Sequence, residues 1–337
     1  MRAIVAESAE DLVWSEVPDV LPQPGEVLIK VRAAGVNRAD LVLAASRSPK
    51  SPHASEILGM EVAGVVADVG DGVTGWSAGQ EVCALLTGGG YAEYVSAPAG
   101  QVMPVPAGVA VHEAAALPEA ACTVWSNLQM TAHLKTGQSL LIHGGASGVG
   151  THATQVARAL GARVAVTAGS ADKLEVARGL GAQILINYRN EDFVVRVREE
   201  TGGAGADVIL DIIGAAYLHR NVDALAADGR LIVIGMQGGL EGELNLGTLM
   251  GKRAGVIGTT LLGRPADGPH GKRTIVREVV AHVWPMISDG EVQPVIGAQF
   301  PIRLAAEAHR LLSAGEVVGK VILLVGDQPS DASVRAR

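Results

Sequence analysis

The run Leu140-Leu141-Ile142-His143-Gly144-Gly145-Ala146-Ser147-Gly148-Val149-Gly150 carries the clearest chemistry in the chain. Its apolar start reads as a short buried strand, and Ala153, Val156, Ala157 and Leu160 follow at helical spacing. Glycines at such a junction let backbone N–H groups and a helix N-terminus approach a pyrophosphate with no Cβ in the way. They fall at 145, 148 and 150, so the strict G-x-G-x-x-G spacing is not met. Glycine clusters also build plain turns, and the next strand adds weight to the phosphate reading. Arg163-Val164-Ala165-Val166-Thr167 runs into Ala168-Gly169-Ser170-Ala171-Asp172-Lys173. A site that prefers NAD places an acidic residue about 20 residues past the glycines, on the ribose 2′-hydroxyl. Here small residues, the Ser170 hydroxyl and the Lys173 cation stand there instead, a set that accommodates a 2′-phosphate. The plain alternative makes Ser170 a helix cap and Lys173 a solvated face residue. The spacing from the glycine turn favours NADPH.

Such a turn needs a sheet behind it. From about Pro118 to Gly258 strand and helix patterns alternate, which predicts a doubly wound parallel sheet. Strands are predicted at 139–143, 163–167, 183–186, 207–210, 230–234 and 253–258, and helices at 149–160, 171–180, 191–200, 216–226 and 245–251. Ligands of such sheets bind beyond the carboxyl ends of the strands. Those ends carry the segments 144–150, 168–170, 187–188, 211–214 and 235–239, most of them glycine-bearing. Before about Ala116 short Val-rich runs and glycine turns (Asp71-Gly72, Gly75, Gly79) suggest a small antiparallel barrel. The tail holds helices near 273–289 and 304–314 and a last strand, Val318 to Val325. The nucleotide region offers that strand no partner, so it is expected to return to the N-terminal region.

Composition narrows the class. The 337 residues suggest two domains, and 48% hydrophobic content excludes a disordered chain. With only 3% aromatics, packing must rest on Ala, Val, Leu and Ile. A net charge of −8 argues against a general nucleic-acid or acidic-membrane surface. Cys83 and Cys122 are too few for a disulfide framework or a four-cysteine metal site, which fits a reduced, cytoplasmic compartment. The N-terminus reads as a strand and lacks the apolar core of a signal peptide. The longest charge-free run, between Lys135 and Arg158, is too polar to span a membrane.

The segments Asn37-Arg38-Ala39-Asp40, Ser55–Gly64, Gly88-Gly89-Gly90-Tyr91-Ala92-Glu93-Tyr94-Val95, Thr123-Val124-Trp125-Ser126-Asn127, the glycine turn and Asn187-Tyr188-Arg189 together resemble the NADPH quinone oxidoreductases. These form the zinc-independent branch of the medium-chain dehydrogenase/reductases, and the resemblance is greatest to the p53-inducible subgroup. It runs over nearly the whole chain. It implies an α/β fold with a GroES-like β-barrel domain (1–117 plus 259–337) and a Rossmann domain (118–258). It also implies a homodimer formed through an edge strand, here 253–258. In the zinc-dependent branch a Cys and a His bind the metal in segments similar to 37–40 and 59–61. This chain has Asn37 and Met60 there, neither of which binds catalytic zinc as a thiolate or imidazole does.

Carried over position by position, the resemblance puts Asn37, Thr123 and the Ser48 position at the catalytic site. Gly145, Ala146, Ser147, Gly148, Val149 and Gly150 would hold the pyrophosphate. Gly169, Ser170, Lys173 and Tyr188 would surround the 2′-phosphate end. Gly235, Met236, Gln237, Thr259 and Leu261 would flank the nicotinamide ribose and amide, and Lys320 would reach the cofactor's far end. Relatives tend to carry a tyrosine where this chain has Ser48 and aromatics where it has Ala121-Cys122, so a roomier acceptor pocket is expected. His143 is expected to be a structural hydrogen-bonding group.

A quinone suits a site without a metal, because hydride addition gives a delocalised hydroquinone anion and no Lewis acid is needed. Quinone reduction by NADPH is therefore the expected activity. Two alternatives stay open at this point. One is an NADPH-dependent reductase of activated C=C bonds, which needs a proton donor beside the α-carbon. The other is an NADPH-binding sensor or structural protein without turnover. The expected partner is a small electrophile, with no nucleic acid and no membrane.

Overall fold

The computed structural model describes residues 1–6, 11–46 and 57–326. The chain divides into two compact units, one of Met1–Cys122, Leu262–Asp289 and Pro294–Arg337, the other of Thr123–Leu261 and Gly290–Gln293.

The first unit begins with a hairpin, β1 (Arg2–Ala6) and β2 (Leu12–Glu16). The long strand β3 (Glu26–Val36) follows, then α1 (Arg38–Ser46), β4 (Glu61–Val69), β5 (Glu81–Leu85), β6 (Tyr94–Pro98) and β7 (Val102–Pro104). Along β3 the side chains of Val27, Ile29 and Val31 alternate inward as a half-buried strand requires. From Ala33 to Val36 every residue is buried. The helix α2 (Pro118–Leu128) carries the chain from this unit into the second.

The second unit contains β8 (Ser139–His143), α3 (Gly148–Ala159), β9 (Arg163–Ala168), α4 (Ala171–Gly179) and β10 (Ile184–Asn187). Next come α5 (Phe193–Glu200), β11 (Ala206–Asp211), α6 (Ala215–Ala224), β12 (Leu225–Val233), α7 (Leu246–Lys252) and β13 (Gly255–Gly258). All its strand pairings are parallel, in the order β10-β9-β8-β11-β12-β13. The expected strands and helices are all present, most within two residues of the expected bounds. β12 is the exception, starting at Leu225 because Asp228 (φ 61°) and Gly229 lie within it, where the sequence reads as a turn. Leu141, Ala165, Ile184, Ile209 and Leu231, one from each of five neighbouring strands, meet in one apolar cluster with Phe193.

The chain then returns to the first unit with α8 (Lys272–Ser288), β14 (Ile296–Pro301), α9 (Ala305–Ala314) and β15 (Lys320–Leu324). β15 pairs antiparallel with β3 and parallel with β14, so the last strand does go back to the N-terminal region. The resulting sheet runs β14-β15-β3-β4-β5-β7, with β6 also on β3. β14 was not expected from the sequence: Gly297 breaks its apolar pattern. The structure requires that glycine, since a β-carbon there would lie 2.6 Å from Val317 Cγ2.

Candidate active site

In the second unit the carboxyl end of β8 opens into the glycine turn. Gly144 takes φ 72°, a region other residues rarely adopt. Gly145 N donates to Thr167 O at 3.0 Å, tying the turn to β9, and a β-carbon at 145 would sit 2.6 Å from Val166 Cβ. A β-carbon at Gly150 would run into the Gly144 carbonyl oxygen. Ser147 caps α3, its Oγ accepting from Gly150 N at 3.0 Å. Ala146, Gly148 and Val149 complete the turn. Bare backbone at a helix N-terminus is what a pyrophosphate requires, so these residues fit a dinucleotide.

His143 is fully buried beneath this turn. Its Nε2 meets Asn221 Oδ1 at 2.7 Å and its Nδ1 meets Thr167 Oγ1 at 3.1 Å. Burial lowers its pKa to about 4, so it is neutral at pH 7 and serves structure, as expected. Its ring also packs edge-on against Phe193 and Tyr217.

At the end of β9, Ser170 caps α4 through a 3.4 Å bond from Lys173 N, so it is a cap as the plain alternative had it. Tyr188 is half exposed and reaches back over Gly169: a β-carbon there would lie 2.5 Å from the tyrosine hydroxyl and 3.3 Å from Arg189 Nε. Arg189 is thus a second cation beside Gly169, unassigned by sequence reasoning although it adjoins Tyr188. At the end of β12, a β-carbon at Gly235 would lie 2.6 Å from Ile212 O. Gln237 N donates to that same carbonyl, and Met236 is exposed. Thr259 Oγ1 donates to Asn127 Oδ1 at 2.6 Å, and Asn127 Nδ2 donates to Thr123 O at 2.7 Å. This chain of bonds joins the buried Thr123 to the segment that ends at Leu261, itself buried.

The first unit holds a second constellation. Asn37, at the end of β3, donates through Nδ2 to Glu61 Oε1 at 2.9 Å. Lys320, expected at a cofactor's far end, instead buries its ammonium here and donates to both Asn37 Oδ1 and Glu61 Oε1. Glu61 Oε2 accepts from Glu119 N at 2.8 Å. Gly35 makes room: a β-carbon on it would press into the Glu61 carboxylate and lie 2.6 Å from Ala115 O. Asp40 pins the two segments, accepting from Asn37 N at 2.8 Å and Gly59 N at 3.1 Å. The Tyr91 hydroxyl donates to Asp40 Oδ2 at 3.3 Å and meets His309 Nε2 at 3.1 Å. Burial raises the Asp40 carboxyl to about 7 and lowers His309 to about 4. Glu61, Asp40, Tyr91 and His309 were missed as site residues. The first three stand in the segments that carry the family resemblance, but nothing in their spacing announces a shared cluster.

Ser48 lies outside the described residues. Ala121 and Cys122 are fully buried on α2. The donor set around residue 37 does not fit zinc. It offers an amide, the buried thioether of Met60 and a carboxylate already neutralised by an ammonium that would repel a dication. No group of three or more His, Cys, Asp or Glu with metal-holding geometry occurs among the described residues.

A GroES-like sheet unit whose chain is interrupted by a parallel nucleotide-binding unit defines a medium-chain dehydrogenase/reductase. Residues 23–107 match the alcohol dehydrogenase GroES-like domain and 148–276 the zinc-binding dehydrogenase domain. The chain is 31% identical to the quinone oxidoreductase of Rattus norvegicus over 92% of each protein. The structure of Escherichia coli quinone oxidoreductase complexed with NADPH matches with TM-score 0.85 at 29% identity, covering 96% of this chain and 99% of that one. The CurK enoyl reductase matches with TM-score 0.83 at 25% identity, over 96% and 99%. The chain belongs to the quinone oxidoreductase family of medium-chain dehydrogenase/reductases and is an oxidoreductase. Among the described residues no helix is long and apolar enough to cross a membrane.

Proposed function

We propose that the protein reduces quinones with NADPH and without a metal. The observation that carries this reading is the ring of Asn37, Glu61 and Lys320, a neutralised pair and a fixed amide in the segments where zinc-dependent relatives are expected to hold their metal. When bound, the cofactor supplies a hydride; the quinone takes both electrons and the hydrogen, and its anion draws one proton from solvent. The turn 145–150 holds the pyrophosphate. Gly169, Ser170, Lys173 and Tyr188 receive the 2′-phosphate, and Gly235, Met236, Gln237, Thr259 and Leu261 flank the nicotinamide end. Asn37 and Thr123 border the reacting groups.

Similarity to the CurK enoyl reductase supports a second reading, reduction of an activated C=C bond. That chemistry needs a proton donor. The Tyr91 hydroxyl and the Lys320 ammonium are both buried and committed to partners, which favours the quinone. We also propose a cytoplasmic homodimer joined through β13, one of the two edge strands of its sheet.

Screening NADPH consumption against quinones and enones, with NADH as control, tests the reading. Turnover of 1,2-naphthoquinone with NADPH, and none of simple alcohols, is the expected result. Enone turnover alone would replace it with the second reading, and cofactor binding with no turnover of either class would leave a non-catalytic binder.

A further inference from the structure

We propose that Glu61 and Lys320 are positioning residues that clamp the Asn37 carboxamide, leaving one Nδ2–H as the donor to the acceptor oxygen that gains charge. This rests on the reading above, that an acceptor carbonyl sits beside Asn37.

A carboxamide has two donor hydrogens on nitrogen and two lone pairs on oxygen. In Asn37 one N–H goes to Glu61 Oε1 and the oxygen takes the Lys320 ammonium. The flipped amide would set its NH2 against an ammonium and its oxygen against a carboxylate, two repulsions in place of two bonds. The orientation is thus fixed by charge. The backbone is held too, since Asn37 N donates to the Asp40 carboxyl. Among the described residues the second Nδ2–H has no partner. Asn37 is 7% exposed, so only a small part of it reaches beyond its neighbours.

The ammonium on Oδ1 also draws electron density from the amide and strengthens its remaining N–H, as linked hydrogen bonds polarise one another. Lys320 and Glu61 together add no net charge, so the ring delivers an oriented, polarised dipole. Such a fixed dipole stabilises charge that develops on an acceptor oxygen without reorganising. Asn37 keeps its proton, and the proton that completes the hydroquinone comes from solvent.

The test compares N37A, K320M, K320R and E61Q by steady-state kinetics, NADPH titration and side-chain amide NMR. N37A should lower kcat about 100-fold, and K320M about tenfold or more, with NADPH affinity unchanged. K320R should retain kcat. In an N37A background K320M should cost nothing further, because it acts through Asn37. Across quinones of falling reduction potential, the wild-type advantage over N37A should widen, which a purely structural role would not produce. The Asn37 Nδ2 resonance, identified by its loss in N37A, should shift in K320M and E61Q. If K320M does not fold, the double variant E61Q/K320M takes its place with the same expectations. Equal losses from the lysine substitution with and without Asn37, or an unmoved Nδ2 resonance, would overturn the clamp. A wild-type protein that turns over no quinone would sink the functional reading instead, and the resonance alone would then decide the clamp.

Discussion

The Tyr188 hydroxyl stands over Gly169, close enough that a β-carbon at 169 would lie 2.5 Å from its oxygen. The G169A substitution must therefore push Tyr188 and the neighbouring Arg189 away from the end of β9. If these groups frame the 2′-phosphate, the damage falls on NADPH alone. We expect KM for NADPH to rise about tenfold, equivalent to about 1.4 kcal/mol, with NADH consumption unchanged. Equal losses for both cofactors would place the 2′-phosphate elsewhere.

Lys173 and Ser170 separate by the same comparison. Removing the ammonium in K173A should raise KM for NADPH about ten- to a hundredfold, since a charged hydrogen bond contributes about 1.5–3 kcal/mol. The S170A substitution removes a long cap bond and should lower stability by about 1 kcal/mol or less. Thermal melting without cofactor reads the cap, and the ratio of KM values for NADPH and NADH reads the phosphate.

Acid sensitivity is built into His143. Burial holds its pKa at about 4 in the folded chain, against 6.5 when exposed. Between those values the unfolded chain binds the extra proton, so this contribution to stability is lost as pH falls from about 6.5 to about 4. Asp40 acts in the opposite sense, because its raised pKa makes the folded chain hold a proton that the unfolded chain releases above about pH 4. In H143Q the histidine contribution disappears. Its urea stability relative to wild type should improve on acidification by an amount on the order of 3 kcal/mol. A gap independent of pH would show that His143 takes up its proton in the fold as readily as in the unfolded chain.

A lone charge is worse than a buried pair. K320M leaves the Glu61 carboxylate without its ammonium and should lower stability by about 3–5 kcal/mol. E61Q/K320M, which removes both charges together, should melt above K320M. The reverse order would mean that Glu61 finds water when Lys320 is gone.

The sheet of the second unit was legible because each strand-to-helix junction announces itself locally, as Ser147 and Ser170 do by capping the helices they precede. The glycines at 145 and 150 were legible for the same reason. Asn37 could be found through its segment, but its partners could not. Glu61 and Lys320 read as an ordinary acidic residue and a Gly-Lys end. Only the pairing of β15 with β3, across most of the chain, brings the ammonium to the amide. β14 was hidden because Gly297, where the 317–318 segment approaches too closely for a β-carbon, breaks its apolar pattern.

That closing of the first sheet by β15 also sets an order of events during synthesis. Asn37 and Glu61 emerge early, while Lys320 follows Glu61 by 259 positions. At about 5–20 residues per second the wait is on the order of tens of seconds. Throughout it the Glu61 carboxylate lacks the cation it pairs with in the fold, and β3 lacks its β15 neighbour, so closure of the N-terminal sheet is expected to be disfavoured until then. The second unit, made of Thr123–Leu261 and Gly290–Gln293, has all its residues synthesised before then. The last strand made thus supplies the ion that seals the first part of the chain, and truncation before Lys320 should leave a folded nucleotide-binding half attached to an open one.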